Sequence, residues 1–270
     1  MVMAESALYM IPIGLSDAEP SNVVPTYNIE IARQIRHFIV ENVRTARRWL
    51  RKCDPSFSFE DVVFFELNRH TDPADLSGML EPLRKGEAMG VMSEAGCPGI
   101  ADPGADVVSI AQKEGFKVVP LVGPSSILMS LMASGFNGQS FSFNGYLPIE
   151  EGERMRTVKR LERESIDHNR TQIFIETPYR NNSLLEFLCR HLHPDMNLCV
   201  ASNITDPERE SILVKKVFEW KSTSYDYSKQ PAIFLIQASA NALRSGKSNA
   251  DKKVYSGRSF HAADKRGKKK

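Results

Sequence analysis

The chain has 270 residues, 41% of them hydrophobic and 25% charged, with a formal net charge of +2. That balance describes a globular protein of one large or two modest domains. No apolar run reaches the roughly 18–20 residues of a membrane helix, and the start MVMAESALYMIPIG lacks the positive region and long apolar core of a signal peptide.

In chain order, ALYMIP (7–12) reads as a buried strand. IEIARQIRHFIVEN (29–42) gives a helix and then a strand, and VRTARRWLRK (43–52) a helix with a basic face. DVVFFEL (61–67) is strand-like, PADLSGMLEPLRKG (73–86) a helix closed by Gly86, and EAMGVMS (87–93) a strand. A helix over ADVVSIAQKEG (105–115) and a strand over FKVVPLV (116–122) continue the alternation. The second half keeps it with longer connections. Helices fall on 125–135, 154–165 and 181–192, and strands on 140–147, 171–176, 197–202, 210–220 and 231–237. The βαβα rhythm predicts an α/β fold with parallel strands covered by helices. A break near Gly123-Pro124 divides it into an N-terminal domain (1–122) and a C-terminal domain (123–243).

Residues 245–270 carry nine Lys/Arg against two Asp/Glu, which leaves the first 244 residues at −5. With few aliphatic residues, 244–270 is expected to be a disordered basic tail. Four scattered cysteines without a CxxC pair suit reduced thiols in the cytoplasm. His191 and His193 have no metal-ligand spacing, so no metal is expected. GxGxxG is absent, RSGKS (244–248) has Asn241 where a P-loop needs its first glycine, and there is no GxSxG elbow.

The densest chemistry lies in SEAGCPGIADPG (93–104), with three glycines and two prolines in twelve residues at the end of a strand. Ligands of open α/β sheets collect at such ends. Glycine lets backbone meet a ligand and proline holds the loop in shape beforehand. At the end of the next strand, LVGPSSI (121–127) turns at Gly123-Pro124 and opens a helix at Ser125-Ser126, whose hydroxyls and amides suit a carboxylate.

SEAGCPGIADPG, GPSS, NGYLP (144–148) and IETPYRN (175–181), in this order and spacing, resemble the tetrapyrrole-methylase-like superfamily of S-adenosylmethionine-dependent methyltransferases. YMIPIG (9–14) and VENVR (40–44) also match the branch that methylates a ribose 2′-oxygen of small-subunit ribosomal RNA. The resemblance covers about residues 7–240.

It implies two α/β domains, a mostly parallel N-terminal sheet and a mixed C-terminal one, with the ligand cleft between them, in a cytoplasmic homodimer. S-adenosylmethionine would be the methyl donor. It would touch Pro12, Ser93, Glu94, Gly96, Cys97, Pro98, Ile100, Ser125 and Ser126, with Tyr146, Leu147, Pro231 and Ala232 closing the pocket. Glu41 and Glu176 are the candidate bases, and Arg44 and Arg180 the candidate holders of an anionic substrate group. Cys97 stands where the family has threonine, and reads as a wall, not a nucleophile.

On the acceptor side the chain departs from the pattern. Asn42 and Val43 replace Asp and Thr, and in SNITDPERE (202–210) Ser202 and Asp206 stand where an arginine and a lysine are expected. The implied acceptor is ribosomal RNA. The alternatives are a tetrapyrrole or other small molecule, or donor binding without catalysis.

The tail suits either a solubilising extension or an RNA-tethering arm, since Lys and Arg release condensed counterions on meeting phosphates. Deleting residues 245–270 is expected to leave donor affinity unchanged, weaken RNA binding and flatten the plot of log affinity against log salt. Superimposable plots for the two proteins would leave the tail without an RNA role.

Overall fold

The structure, a computed structural model, describes residues 4–68, 70–239 and Ala242. The basic tail expected at 244–270 lies outside the described residues. The chain divides into two compact units. One holds the residues up to 134 with 200–212 and 229–233, and the other 135–199, 213–228 and the residues from 234 onward. Residues 123–134 thus group with the first unit, where the sequence suggested a division at 122.

The first unit alternates strand and helix: β1 (Leu8–Met10), α1 (Thr26–Ala32), β2 (His37–Val40), α2 (Val43–Cys53), β3 (Val63–Glu66), α3 (Glu81–Arg84), β4 (Met89–Met92), α4 (Ala105–Lys113), β5 (Val118–Pro120) and α5 (Ser126–Ser134). The strands form one sheet in the order β3-β2-β4-β1-β5. Every neighbour is parallel: Leu8 faces Met89 on one side and Val118 on the other, and His37 faces Met89 and Val63.

Strand residues alternate between two apolar layers, as the two-residue period of a strand requires. Tyr9, Phe38 and Val40 pack with Ile31, Trp49 and Leu50, while Leu8, Ile39, Met89 and Val91 pack with Leu80, Leu83 and Val107. β4 lies between β1 and β2 and is buried along its whole length, so its sequence MGVM carries no polar alternation. A side chain at Gly90 would start 2.7 Å from Ile11 and 2.9 Å from Phe38, so close packing demands glycine there.

Two expected elements differ. PADLSGMLEPLRKG is not one helix but two short 3-10 turns, Pro73–Asp75 and Gly78–Leu80, followed by the four-residue α3. Pro82 sits in the first turn of α3, where its missing N–H costs nothing, and further back it would break the ladder. The strand expected over 210–220 ends at Lys216, and Val217–Trp220 form a helical turn. Glu219 accepts from the Lys216 amide at 2.7 Å, and the Trp220 indole donates to the Leu198 carbonyl at 3.0 Å, which holds the turn.

The second sheet is mixed and has the order β6-β7-β10-β8-β9. Its strands are β6 (Phe141–Tyr146), β7 (Thr171–Ile175), β8 (Asn197–Ser202), β9 (Ser211–Lys216) and β10 (Ala232–Gln237), accompanied by α6 (Glu151–His168), α7 (Asn181–His191) and α8 (Val217–Trp220). No helix among the described residues is long and apolar enough to cross a membrane.

Candidate functional site

In the first unit the chain leaves β1 toward β2 and leaves β4 toward β5, so the connections from these two adjacent strands depart in opposite directions. Between the carboxyl ends of such strands a parallel sheet leaves a crevice, the usual place for a ligand. The two exit segments meet there. The Ile13 amide donates to the Gly96 carbonyl at 3.0 Å, in an antiparallel bridge. Gly96 has φ +69°, and a Cβ on it would lie 3.1 Å from Leu15 and 3.4 Å from the Pro124 carbonyl. A β-branched residue at that φ would be strained and crowded.

The neighbouring loop is clamped to this one. Cys97 Sγ lies 3.3 Å from the Pro124 carbonyl and 3.9 Å from that of Gly123, and burial raises its pKa. A raised thiol pKa disfavours the thiolate, which is the nucleophilic form. Gly123 is glycine because a Cβ there would lie 2.2 Å from Pro12. Pro12 is therefore covered, and lines a small apolar recess with Asn28 and Trp49. Ser125 accepts the first helical bond of α5 from the Met129 amide at 2.9 Å. Among the described residues the Ser125 and Ser126 hydroxyls have no hydrogen-bond partner. Pro98 is buried, and Ile100 is 54% exposed.

Three carboxylates converge on this end of the sheet. Glu41 follows β2, with its amide donating to the Met92 carbonyl at 3.3 Å. Its Oε2 is buried without a partner. Its pKa is raised, first by desolvation and then by the charges of Asp102 and Glu94. Asp102 is raised in the same way, by desolvation first, against a hydrogen bond from Ser93. Glu94 is exposed and accepts from Thr45 Oγ1 at 3.2 Å. A half-buried carboxyl with one unpartnered buried oxygen and a raised pKa suits proton transfer, although a hydrogen bond from the Glu94 backbone pulls that pKa the other way. These acids do not form a metal-holding group of three among the described residues.

Asn42, which replaces the expected Asp, caps α2: its Oδ1 accepts from the Arg44 and Thr45 amides at 2.9 and 3.1 Å. Either residue does this, so the replacement leaves the helix start intact. The Arg44 side chain is exposed and has no ion pair among the described residues.

A cavity of about 310 Å³ opens beside Ile13, Gly14 and Ala95, floored by Trp49. Of the expected residues only Glu94 and Pro231 line it. Four cations on its wall, Arg48, Lys52, Arg209 and Lys229, were not singled out from sequence. The available signal was the i, i+4 spacing of Arg48 and Lys52, which puts them on one face of α2.

Tyr146, Leu147, Glu176 and Arg180 belong to the second unit. Glu176 and Arg180 bind each other through two bonds of 2.8 Å, and Glu176 also accepts from the Thr177 amide at 2.6 Å. The Glu176 side chain is 3% exposed. Both ends of this fork are occupied, which makes the pair a brace between β7 and α7. Leu147 is buried and Tyr146 exposed. Pro231 and Ala232 belong to the first unit, where the Pro231 carbonyl accepts from the Asn203 amide at 3.0 Å.

No protein-family model matches the chain. It is similar to solved structures of the methyltransferase CobJ (TM-score 0.58, 16% identity, 86% of this chain and 93% of that one) and of a uroporphyrin-III C-methyltransferase from Thermus thermophilus complexed with S-adenosylhomocysteine (TM-score 0.53, 14% identity, 88% and 99%). The fold of these structures is thus also the fold of this chain. Its sequence relatives bear the name ribosomal RNA small subunit methyltransferase I. The protein of Vibrio cholerae serotype O1 is 34% identical over 141 residues (52% of this chain, 48% of the relative), and that of Halalkalibacterium halodurans 29% over 182 residues (67% and 59%). The chain spans about half the length of the curated relatives it matches.

A Glu41 pKa raised in the folded protein means that folding strengthens proton binding, so stability falls as pH rises from the ordinary carboxyl range through the raised value. Glu41→Gln is expected to be more stable than the parent near pH ~7, with the difference closing toward pH ~4, where an unfolded carboxyl takes up its proton. Urea midpoints at the two pH values check this, and a gap of the same size at both would be the contrary result.

Proposed function

We propose that the chain is an S-adenosylmethionine-dependent methyltransferase that methylates a ribose 2′-oxygen of small-subunit ribosomal RNA. The observation that carries this is the pair of clamped loops at the β1/β4 crevice, Ser93–Ile100 and Ser125-Ser126, beside an unpartnered buried carboxyl oxygen on Glu41. The named relatives support the acceptor, and the fold supports the donor.

The donor supplies an activated methyl group, and this chain's residues supply position and proton handling. Gly96 and Gly99, at φ of +69° and +77°, let the loop fold tightly against Leu15 and Met10, and the free hydroxyls of Ser125 and Ser126 suit a carboxylate. Holding two reactants in line can be worth roughly 7–11 kcal/mol of barrier. A ribose hydroxyl loses its proton as its oxygen attacks carbon, and Glu41 is the residue that takes it. Its raised pKa makes it a stronger base than an exposed glutamate, and its free Oε2 has an acceptor position open. Glu176 is set aside, because Arg180 already occupies it.

The test is transfer of labelled methyl from S-adenosylmethionine to small ribosomal subunits that lack the modification. We expect incorporation on a ribose, with none when the donor is omitted. Gly96→Val is expected to weaken donor binding about tenfold or more, roughly 1.4 kcal/mol, with its circular dichroism unchanged. Transfer to a tetrapyrrole instead, or donor binding with no transfer, would replace this reading with one of the alternatives.

We also propose that the protein works in the cytoplasm as a homodimer. All four cysteines are free, and burial pushes the Cys199 thiol up to about 12. Leu128 and Met132 lie one turn apart on α5 beside Val122, and these three apolar side chains are 49%, 81% and 74% exposed. An uncharged helix face of this kind suits burial against a second copy. Light scattering is expected to give twice the chain mass, falling to one chain in Met132→Glu. A monomeric parent protein would remove the dimer.

A further inference from the structure

The basic helix α2 splits its charges between two tasks. Arg47 and Arg51 lie over the Phe59 ring, with guanidinium carbons 4.7 and 5.2 Å from its centroid. Arg48 and Lys52 are on the neighbouring stripe, about 100° around the helix, and line the cavity of the first unit. From across the cavity come Arg209 and Lys229. Arg209 is held by Asp206 at 2.6 Å. Arg48, Lys52 and Lys229 have no carboxylate partner among the described residues, and Lys52 touches only the Asp17 carbonyl, at 2.5 Å.

The wall that carries Arg209 and Lys229 is built under strain. Asn203, Thr205 and Lys229 all have left-handed backbones, with φ of +50°, +70° and +60°. For a β-branched threonine that is a genuine outlier. It is held by Ser16, whose hydroxyl lies 3.0 Å from both the carbonyl and the hydroxyl of Thr205, and by Glu210, which accepts from the Thr205 amide at 2.8 Å. Asn203 ties this loop to the neighbouring strand connection through Gln230, at 2.6 Å. Strain that the surroundings hold in place is a mark of functional sites.

We propose that this cavity binds a phosphate-type anion, the phosphodiester backbone of the acceptor RNA beside the methylated ribose. The assignment of the anion to RNA rests on the function proposed above. The wall carries four cations against three carboxylates, Asp17, Glu94 and Asp206; with Arg209 and Asp206 paired to each other, three cations face two carboxylates, which favours an anionic ligand, and Glu94 joins the cavity to the Ser93–Gly104 loop. The two cations missing from SNITDPERE are thereby replaced from other elements: Arg48 and Lys52 from α2, and Lys229 from the loop opposite.

The test uses the full-length protein and a short single-stranded RNA, with affinity measured at several salt concentrations. Arg48→Ala/Lys52→Ala is expected to weaken RNA binding about tenfold and to lower the salt slope by about 1.4, for two phosphate contacts on a single strand. Donor affinity should stay unchanged. Arg47→Gln/Arg51→Gln removes equal charge from the same helix outside the cavity, and should leave the slope near that of the parent. Equal slopes for the parent and Arg48→Ala/Lys52→Ala, or equal losses in the two double variants, would overturn the cavity assignment. A second arm uses adenosine monophosphate. Its binding, lost in Arg48→Ala/Lys52→Ala while RNA binding persists, would overturn the RNA strand in favour of a free nucleotide. Methyl transfer to small subunits, scored separately, reports on the proposed function alone.

Discussion

The first unit depends on the parallel pairing of β1 with β4 and on the short bridge that continues it, from the Ile13 amide to the Gly96 carbonyl. β4 is buried on both faces and flanked by β1 and β2, so its position is set by close packing around Gly90. Because connections leave β1 and β4 in opposite directions, no helix covers the crevice at their carboxyl ends. The sheet therefore presents two clamped segments at the carboxyl ends of its strands.

The clamps are made of small residues and buried polar contacts. Gly123 lies directly on Pro12, Cys97 reaches the carbonyls after β5, and the Ser93 hydroxyl donates to the Ala95 carbonyl at 3.1 Å. Each contact removes freedom from a loop before any ligand arrives, which lowers the ordering cost of binding. The same compaction draws Glu41, Glu94 and Asp102 together and desolvates Glu41 and Asp102, raising their pKa values. A carboxyl oxygen left buried without a donor, as on Glu41, is destabilising unless a ligand supplies one.

The region that departs most from the family pattern is also rebuilt. Asp206, where a lysine was expected, accepts from the amides of Glu208 and Arg209 and pairs with Arg209, so it shapes its own turn. Arg48 and Lys52 of α2 and Lys229, all distant in sequence, line the same cavity as Asp206 and Arg209 of that loop.

The alternation of short apolar runs with amphipathic ones was enough to establish an α/β chain and most of its elements, because periods of two and of 3.6 residues are local properties. It misjudged 73–86 and 210–220, where Pro82 and the Glu219 cap override a run of favourable residues. The glycine-rich loop was legible as a ligand loop because Gly and Pro constrain backbone wherever they stand. Strand order was not legible, since it depends on which faces bury each other. Nor was the division of labour among side chains. Glu41 and Glu176 look alike in sequence, yet one keeps a buried oxygen unpartnered and the other is locked to Arg180. Of five basic residues on α2, two lie over an aromatic ring and two line a cavity. Those outcomes are decided by neighbours contributed from far along the chain, and only the tertiary structure brings them into contact.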